Sequence, residues 1–195
     1  ADVEAIRAAY ARIGREDAIV TVTTQQLDGN RVNVIFQINE GGRTKIKSIN
    51  FVGNNAFSDS RLADVISTKK TNLLSFISRN DVYDEGKLRA DEEALRRFYY
   101  NRGYADFQII SAYAELDETK NEYAIQFTVD EGEKYTFGNI SVDSSIAGID
   151  PSVFNRDLET REGRTYSADN VEKTIIAMTE RLAGAGYAFA QVTPR

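Results

Sequence analysis

Residues Asn101–Ile109 read NRGYADFQI, and Gly184–Val192 read GAGYAFAQV. Each places Gly-Tyr-Ala after a stretch with helical spacing and before one with strand alternation, and the two lie 83 positions apart. The same offset pairs Leu88 with Val171, Ala94 with Ala177, Leu95 with Met178 and Tyr99 with Leu182. A helix is therefore repeated together with its end, and self-similarity at a fixed period marks a chain built from modules. A further copy precedes these. Ile6, Tyr10 and Gly14 align with Leu95, Tyr99 and Gly103 at an offset of 89, whereas Phe36–Gly41 (FQINEG) aligns with Phe127–Gly132 (FTVDEG), and Ile49 with Ile140, at 91. The change of offset falls in a hairpin turn, where added residues cost little. On this reading residues 1–40 are the C-terminal part of a module, 41–132 a complete module, and 133–195 a module without its last strand. Ends that lack part of a module are expected to be frayed or paired with neighbouring molecules.

Each module can be read locally. In the complete one, alternation over Thr44–Val52 predicts a strand with Ile49 and Phe51 on one face. Gly53-Asn54 ends it, a pair suited to positive φ, and Ser58 is the expected N-cap of a short helix carrying Leu62, Val65 and Ile66. Asp150-Pro151 starts the equivalent helix in the last copy, although Ser144-Ser145 stands where Gly53-Asn54 stands. A second helix over Asp84–Asn101 buries Leu88, Leu95, Phe98 and Tyr99. Gly103 is its expected stop, with Tyr104 beside it. Two alternating segments follow, Phe107–Leu116 and Tyr123–Val129, closed by Glu131-Gly132. In the first copy the corresponding joint is Asp28-Gly29-Asn30, a tight hairpin signal. The expected fold is α+β: tandem β-α-α-β-β modules, each with two antiparallel helices on a three-stranded mixed sheet. The Tyr123–Val129 strand has the most consistent apolar row and takes the centre, which leaves the other two strands as edges.

Composition narrows the function. The chain has 195 residues, 42% hydrophobic and 28% charged, enough for one or two modest cores. A net charge of -6 without a basic run disfavours nucleic acid. Histidine and cysteine are both absent, which removes imidazole acids and bases, thiol nucleophiles and the usual zinc ligands. There is no phosphate loop, serine elbow or metalloprotease motif, and no run long enough for a transmembrane helix. An enzyme here would need a carboxylate-only site, and no suitable pair stands out. No cofactor or metal is expected.

Other clusters read as structure. Asp91-Glu92-Glu93 points in diverging helix directions and is expected on a solvated face. Asp130, Glu131 and Glu133 around Gly132 lack the spacing of a calcium loop and read as a turn. Tyr99 belongs to the core and Tyr104 to the helix stop, so the tyrosines are not a stacking platform. Leu73, Leu74, Phe76 and Ile77 read either as packing over their own helix pair or as a patch for a partner.

INFVGN, the helix end YYNRGYA and the closing VDEG, taken in tandem, resemble polypeptide-transport-associated (POTRA) domains along essentially the entire chain. Their order is similar to the periplasmic arm of the outer-membrane β-barrel assembly factors: the end of a second module, a whole third and most of a fourth. The segment NLLSFISRNDVYDEGKL resembles the third in particular. The resemblance implies a periplasmic scaffold of outer-membrane protein assembly, part of a protein with a C-terminal membrane β-barrel. Its implied partners are unfolded outer-membrane protein segments and accessory lipoproteins. The arm of a related translocase, in two-partner secretion or a translocation and assembly module, is the alternative.

The residues supply a compatible device. An outer strand exposes unpaired N–H and C=O groups that can accept an extended chain. The expected acceptor comprises Phe107, Gln108, Ile109, Ile110, Ser111, Ala112, Tyr113 and Ala114, with Phe107, Ile109 and Tyr113 toward the helices and Gln108, Ile110, Ala112 and Ala114 away from them. About five hydrogen bonds at about 1 kcal/mol net each oppose ordering costs of about 1 to 2 kcal/mol per residue, so binding is expected to be weak and reversible. Taken alone, the residues favour an edge blunted by the charges of AELDETK; the family resemblance reverses that preference.

Overall fold

A computed structural model describes residues 2–72 and 81–195. Its elements are α1 (Asp2–Ala11), β1 (Ile19–Leu27), β2 (Arg31–Asn39), β3 (Lys45–Val52), α2 (Asp59–Val65), α3 (Glu85–Tyr100), β4 (Gln108–Asp117), β5 (Glu122–Asp130), a 3-10 helix at Pro151–Asp157, and α4 (Ala168–Gly184). β1 and β2 pair antiparallel around Asp28-Gly29-Asn30, where Gly29 and Asn30 both take positive φ. The second sheet has the order β3-β5-β4. β3 runs parallel to β5, with Ile49 beside Ile125 and Phe51 beside Phe127; β4 joins β5 through the turn at 118–121 and so runs against it. The sheet is mixed and centred on β5, as the apolar row of that strand demands.

The turn after β3 has a steric cause. Gly53 lies at φ +91°, and a β-carbon there would stand 2.0 Å from the carbonyl oxygen of Val129 on β5. Only glycine lets the two backbones approach this closely. The Asn54 amide then donates to the Phe57 carbonyl at 3.0 Å and to Asp59 at 2.7 Å. Ser58 caps α2 by accepting from the Arg61 N–H. In the last copy Asp150 caps the 3-10 helix by accepting from the Ser152 N–H, with Pro151 following it.

The chain gathers into two compact units, Ala1–Ala94 with Ile109–Val129 and Leu95–Gln108 with Asp130–Arg195. In the first, Ile46, Phe51, Leu62, Leu88, Ile125 and Phe127 are buried. The rings of Phe51 and Phe127 stack at 5.4 Å. Burying such side chains stabilises by about 1.5 to 3 kcal/mol apiece. Asp91 corrects the solvated-face expectation. It is 1% exposed and accepts from the Ser67 N–H at 2.6 Å, the Ser67 hydroxyl at 2.7 Å and the Thr68 N–H at 3.1 Å. The chain leaving α2 buries Thr68, whose N–H then requires an acceptor, while the exposed Ser67 adds two further donors. Glu93 is exposed as expected.

In the second unit Tyr99 stacks on Phe107 at 4.0 Å, and its hydroxyl donates to Glu131 at 2.8 Å. Phe154, Met178 and Leu182 form a separate cluster with Ile146 and Ile149 against it. The strand expected from Ile140 is not formed; residues 137–145 carry no strand, and the nearest pairing is the Thr136–Thr165 bridge. A lone strand cannot satisfy its backbone.

Successive modules are joined by the same bond twice. The Thr44 N–H donates to the Gly14 carbonyl at 2.7 Å, and at the equivalent positions the Tyr135 N–H donates to the Gly103 carbonyl at 2.8 Å. Side chains differ around it. At the first joint Thr44 Oγ1 donates to Asn121 at 2.6 Å, and Arg43 pairs with the buried Asp81 at 2.5 Å. At the second, the Tyr135 hydroxyl donates to Asp106 at 2.6 Å, and Asn101 Oδ1 accepts from the Asp169 N–H at 2.8 Å. Asn101, at the end of α3, thus satisfies a free donor at the start of α4.

Candidate functional site: an open strand margin

β4 has β5 on one side only. Apart from that pairing and its own turn, its residues make no backbone hydrogen bond among the described residues. A row of N–H and C=O groups therefore faces outward. The other outer strand differs. On β3 the Ile46 N–H donates to Thr71 Oγ1 at 2.8 Å, while the Ile46 carbonyl accepts from the Thr71 N–H at 2.9 Å. One residue of the segment after α2 thus occupies both edge groups of Ile46. Nothing in the periodicity of the sequence singles out Thr71, so both outer strands read alike until the fold is known.

Side chains along β4 do not keep one phase. Phe107, just before it, is buried, Gln108 and Ile110 are exposed, and Ile109 is half-buried. Ser111 and Ala112 are then both half-buried, and the alternation inverts, so that Ala114 and Leu116 are half-buried while Tyr113 and Glu115 are exposed. Tyr113 was expected toward the helices and is instead 46% exposed; Ala112 and Ala114, expected to face away, are half-covered. The alternation of burial thus changes phase at the two adjacent half-buried residues, Ser111 and Ala112.

The turn following β4 is held by charge. Asp117 accepts from the Thr119 hydroxyl at 2.6 Å and pairs with Lys120 at 3.0 Å. The Thr119 bond first, and Lys120 second, hold its carboxyl down to about 2. On β5, burial and then the nearby Glu16 carboxylate push the Tyr123 phenol up to about 12; its ring lies 4.5 Å from that of Tyr83.

The remaining singled-out residues build the frame. Gly103 lies at φ +101°, and the Tyr104 N–H donates back to the Tyr99 carbonyl at 3.2 Å, ending α3. Glu131 is buried against the Tyr99 hydroxyl, and burial followed by this bond raises the Tyr99 phenol far above the ordinary tyrosine range. The Gly132 N–H donates to Asp130 Oδ1 at 3.1 Å, which makes the acidic stretch a turn. Among the described residues no group of three acidic, histidine or cysteine side chains could hold a metal ion, and no helix is long and apolar enough to cross a membrane. Leu73, Leu74, Phe76 and Ile77 lie outside the described residues.

Comparison with known proteins gives the fold a family. The family model described as "POTRA: Surface antigen variable number repeat" matches residues 44–132 and 135–195. "Outer membrane protein assembly factor BamA" of Neisseria meningitidis serogroup B is 27% identical over 191 residues, covering 98% of this chain and 24% of that protein. The BamA of Neorickettsia risticii is 28% identical over 194 residues, with 98% and 26% covered. The chain spans about a quarter of the length of these curated relatives. The crystal structure of Haemophilus influenzae BamA POTRA3-5 superposes on 100% of this chain and 71% of that one, with a TM-score of 0.54 at 24% identity, a likeness of fold.

Proposed function

The chain belongs to the POTRA family, and on that premise we propose that it is a periplasmic section of an outer-membrane protein assembly factor, a non-enzymatic scaffold receiving extended client segments on the open margin of β4. The names of its relatives support the process, since both are outer membrane protein assembly factors. Its modules are 1–40, 41–132 and 133–195, and the complete one contributes the open margin. Clients are outer-membrane proteins that have not yet folded, and accessory lipoproteins of the assembly complex are the second class of partner.

One observation carries the reading: of the two outer strands of the complete module, β3 is occupied at Ile46 by Thr71, while β4 keeps its outward backbone free among the described residues. β-augmentation on β4 draws its affinity from main-chain groups and tolerates many client sequences. The balance of hydrogen bonding against ordering keeps it reversible, as a relay of clients requires.

The test is a titration of the isotope-labelled chain with a short extended peptide of alternating Val and Thr. Amide shifts are expected along Gln108–Asp117 and not along β3. Ile110→Pro or Ala112→Pro, whichever preserves the native spectrum, abolishes them, and Ile110→Lys weakens them by placing a charge on the margin. Peptide-induced shifts that ignore these substitutions, or that map to another surface, overturn the proposal.

A further inference from the structure

Building on that reading of β4, we infer that the margin takes its client antiparallel and selects a lysine or arginine near the amino-terminal end of the client segment. The surface along β4 changes character. Ile110 and Tyr113 are 62% and 46% exposed in its first part, whereas Glu115 is exposed near its end and Glu118 in the turn beyond. Neighbouring cations are already engaged: Lys120 pairs with Asp117 at 3.0 Å and Lys47 with Glu122 at 3.3 Å. Glu115 and Glu118 have no ion pair among the described residues. Both line a shallow depression of about 520 Å³ together with Tyr123 and Ala124.

An added strand would therefore meet two different surfaces. Beside Ile110 and Tyr113 it gains from β-branched or aromatic residues, which pair favourably across strands; beside Glu115 it gains from a basic one. The aliphatic stem of that lysine or arginine can lie across the outer face of β4 while its head reaches the carboxylates. Antiparallel pairing is the more stable per residue. Since β4 runs from Gln108 to Asp117, antiparallel addition puts the amino end of the client at the acidic end.

The test uses the full chain and capped, extended Val/Thr peptides that carry Lys near the amino end, Lys near the carboxyl end, or Glu near the amino end. The first is expected to bind about three-fold more tightly than the others, the scale of an exposed ion pair. The advantage disappears in Glu115→Gln/Glu118→Gln and at high salt. A spin label on the amino end of the peptide broadens amides near Asp117 more than those near Gln108. Tighter binding of the carboxyl-end Lys peptide overturns the polarity. Equal binding of all peptides at β4 overturns the charge selection and leaves the open margin standing. Absence of shifts at β4 for every peptide overturns the margin itself, and the inference with it.

Discussion

Gly53 and Val129 meet backbone to backbone, the α-carbon of one turned so closely on the carbonyl of the other that a β-carbon would lie 2.0 Å from the oxygen. Alanine at this site carries the strain of positive φ, about 1 to 2 kcal/mol, and an overlap that only movement of β3 from β5 can relieve. Gly53→Ala is expected to destabilise the chain by about 3 kcal/mol or more. Asn54→Ala, which removes side-chain bonds to Phe57 and Asp59, costs about 1 kcal/mol. Urea unfolding compares them directly, and equal midpoints would contradict the close approach.

Asp91 offers a second contrast. Asp91→Ala strands the buried Thr68 donor and removes the two Ser67 bonds, at an expected cost of about 2 to 4 kcal/mol. Glu93→Ala, at an exposed position of the same helix, should change stability by no more than about 1 kcal/mol, the scale of a surface interaction. Similar midpoints for the two variants would return Asp91 to the surface.

Alkaline pH should unfold the protein through its tyrosines. Burial and then Glu16 push the Tyr123 phenol up to about 12, from an ordinary value of 10.0. A raised pKa means that the unfolded chain releases this proton first. The stabilisation is complete below pH 10 and is lost as the pH rises toward 12. Tyr99 acts in the same direction through burial and its bond to Glu131. Tyr123→Phe should flatten the fall in unfolding midpoint over this window, and an unchanged slope in that variant would exclude Tyr123 as a source.

Asn101 supplies an acceptor to the first turn of α4. Asn101→Ala is expected to cost about 1 kcal/mol and to speed hydrogen exchange at the Asp169 amide. Arg97→Ala removes only an exposed pair with Asp169, 3.1 Å apart, and should cost less than about 1 kcal/mol. Faster exchange at Asp169 in Arg97→Ala than in Asn101→Ala would reverse this assignment.

Much of the fold is legible in residue order because local chemistry decides it. The row Ile125, Phe127, Val129 calls for burial on one face, Ser58 and Asp150 for helix starts, and Asp28-Gly29-Asn30 for a tight turn. What escapes such reading depends on distant groups. An acid facing water and a buried acid bonded to two amides have the same letter, and the partners of Asp91 lie 24 and 23 positions away. The inverted alternation at Ser111 and Ala112 leaves no trace in residue type. The segment from Ile140 has strand chemistry but pairs with no strand among the described residues. Of the candidate margin, the sequence identifies the strand, and only the fold reveals that Thr71 sits on its counterpart across the sheet.

The bond that links one module to the next runs from a main-chain N–H to a glycine carbonyl, with threonine at position 44 and tyrosine at position 135 on the donor side. A coupling of this kind does not depend on which residue supplies it. A stretch of gene duplicated in register would bring its own connector, and the new copy could then diverge on its surface without first evolving a fresh interface. Lengthening such an arm is thus a matter of copying, and specialising it a matter of later substitution.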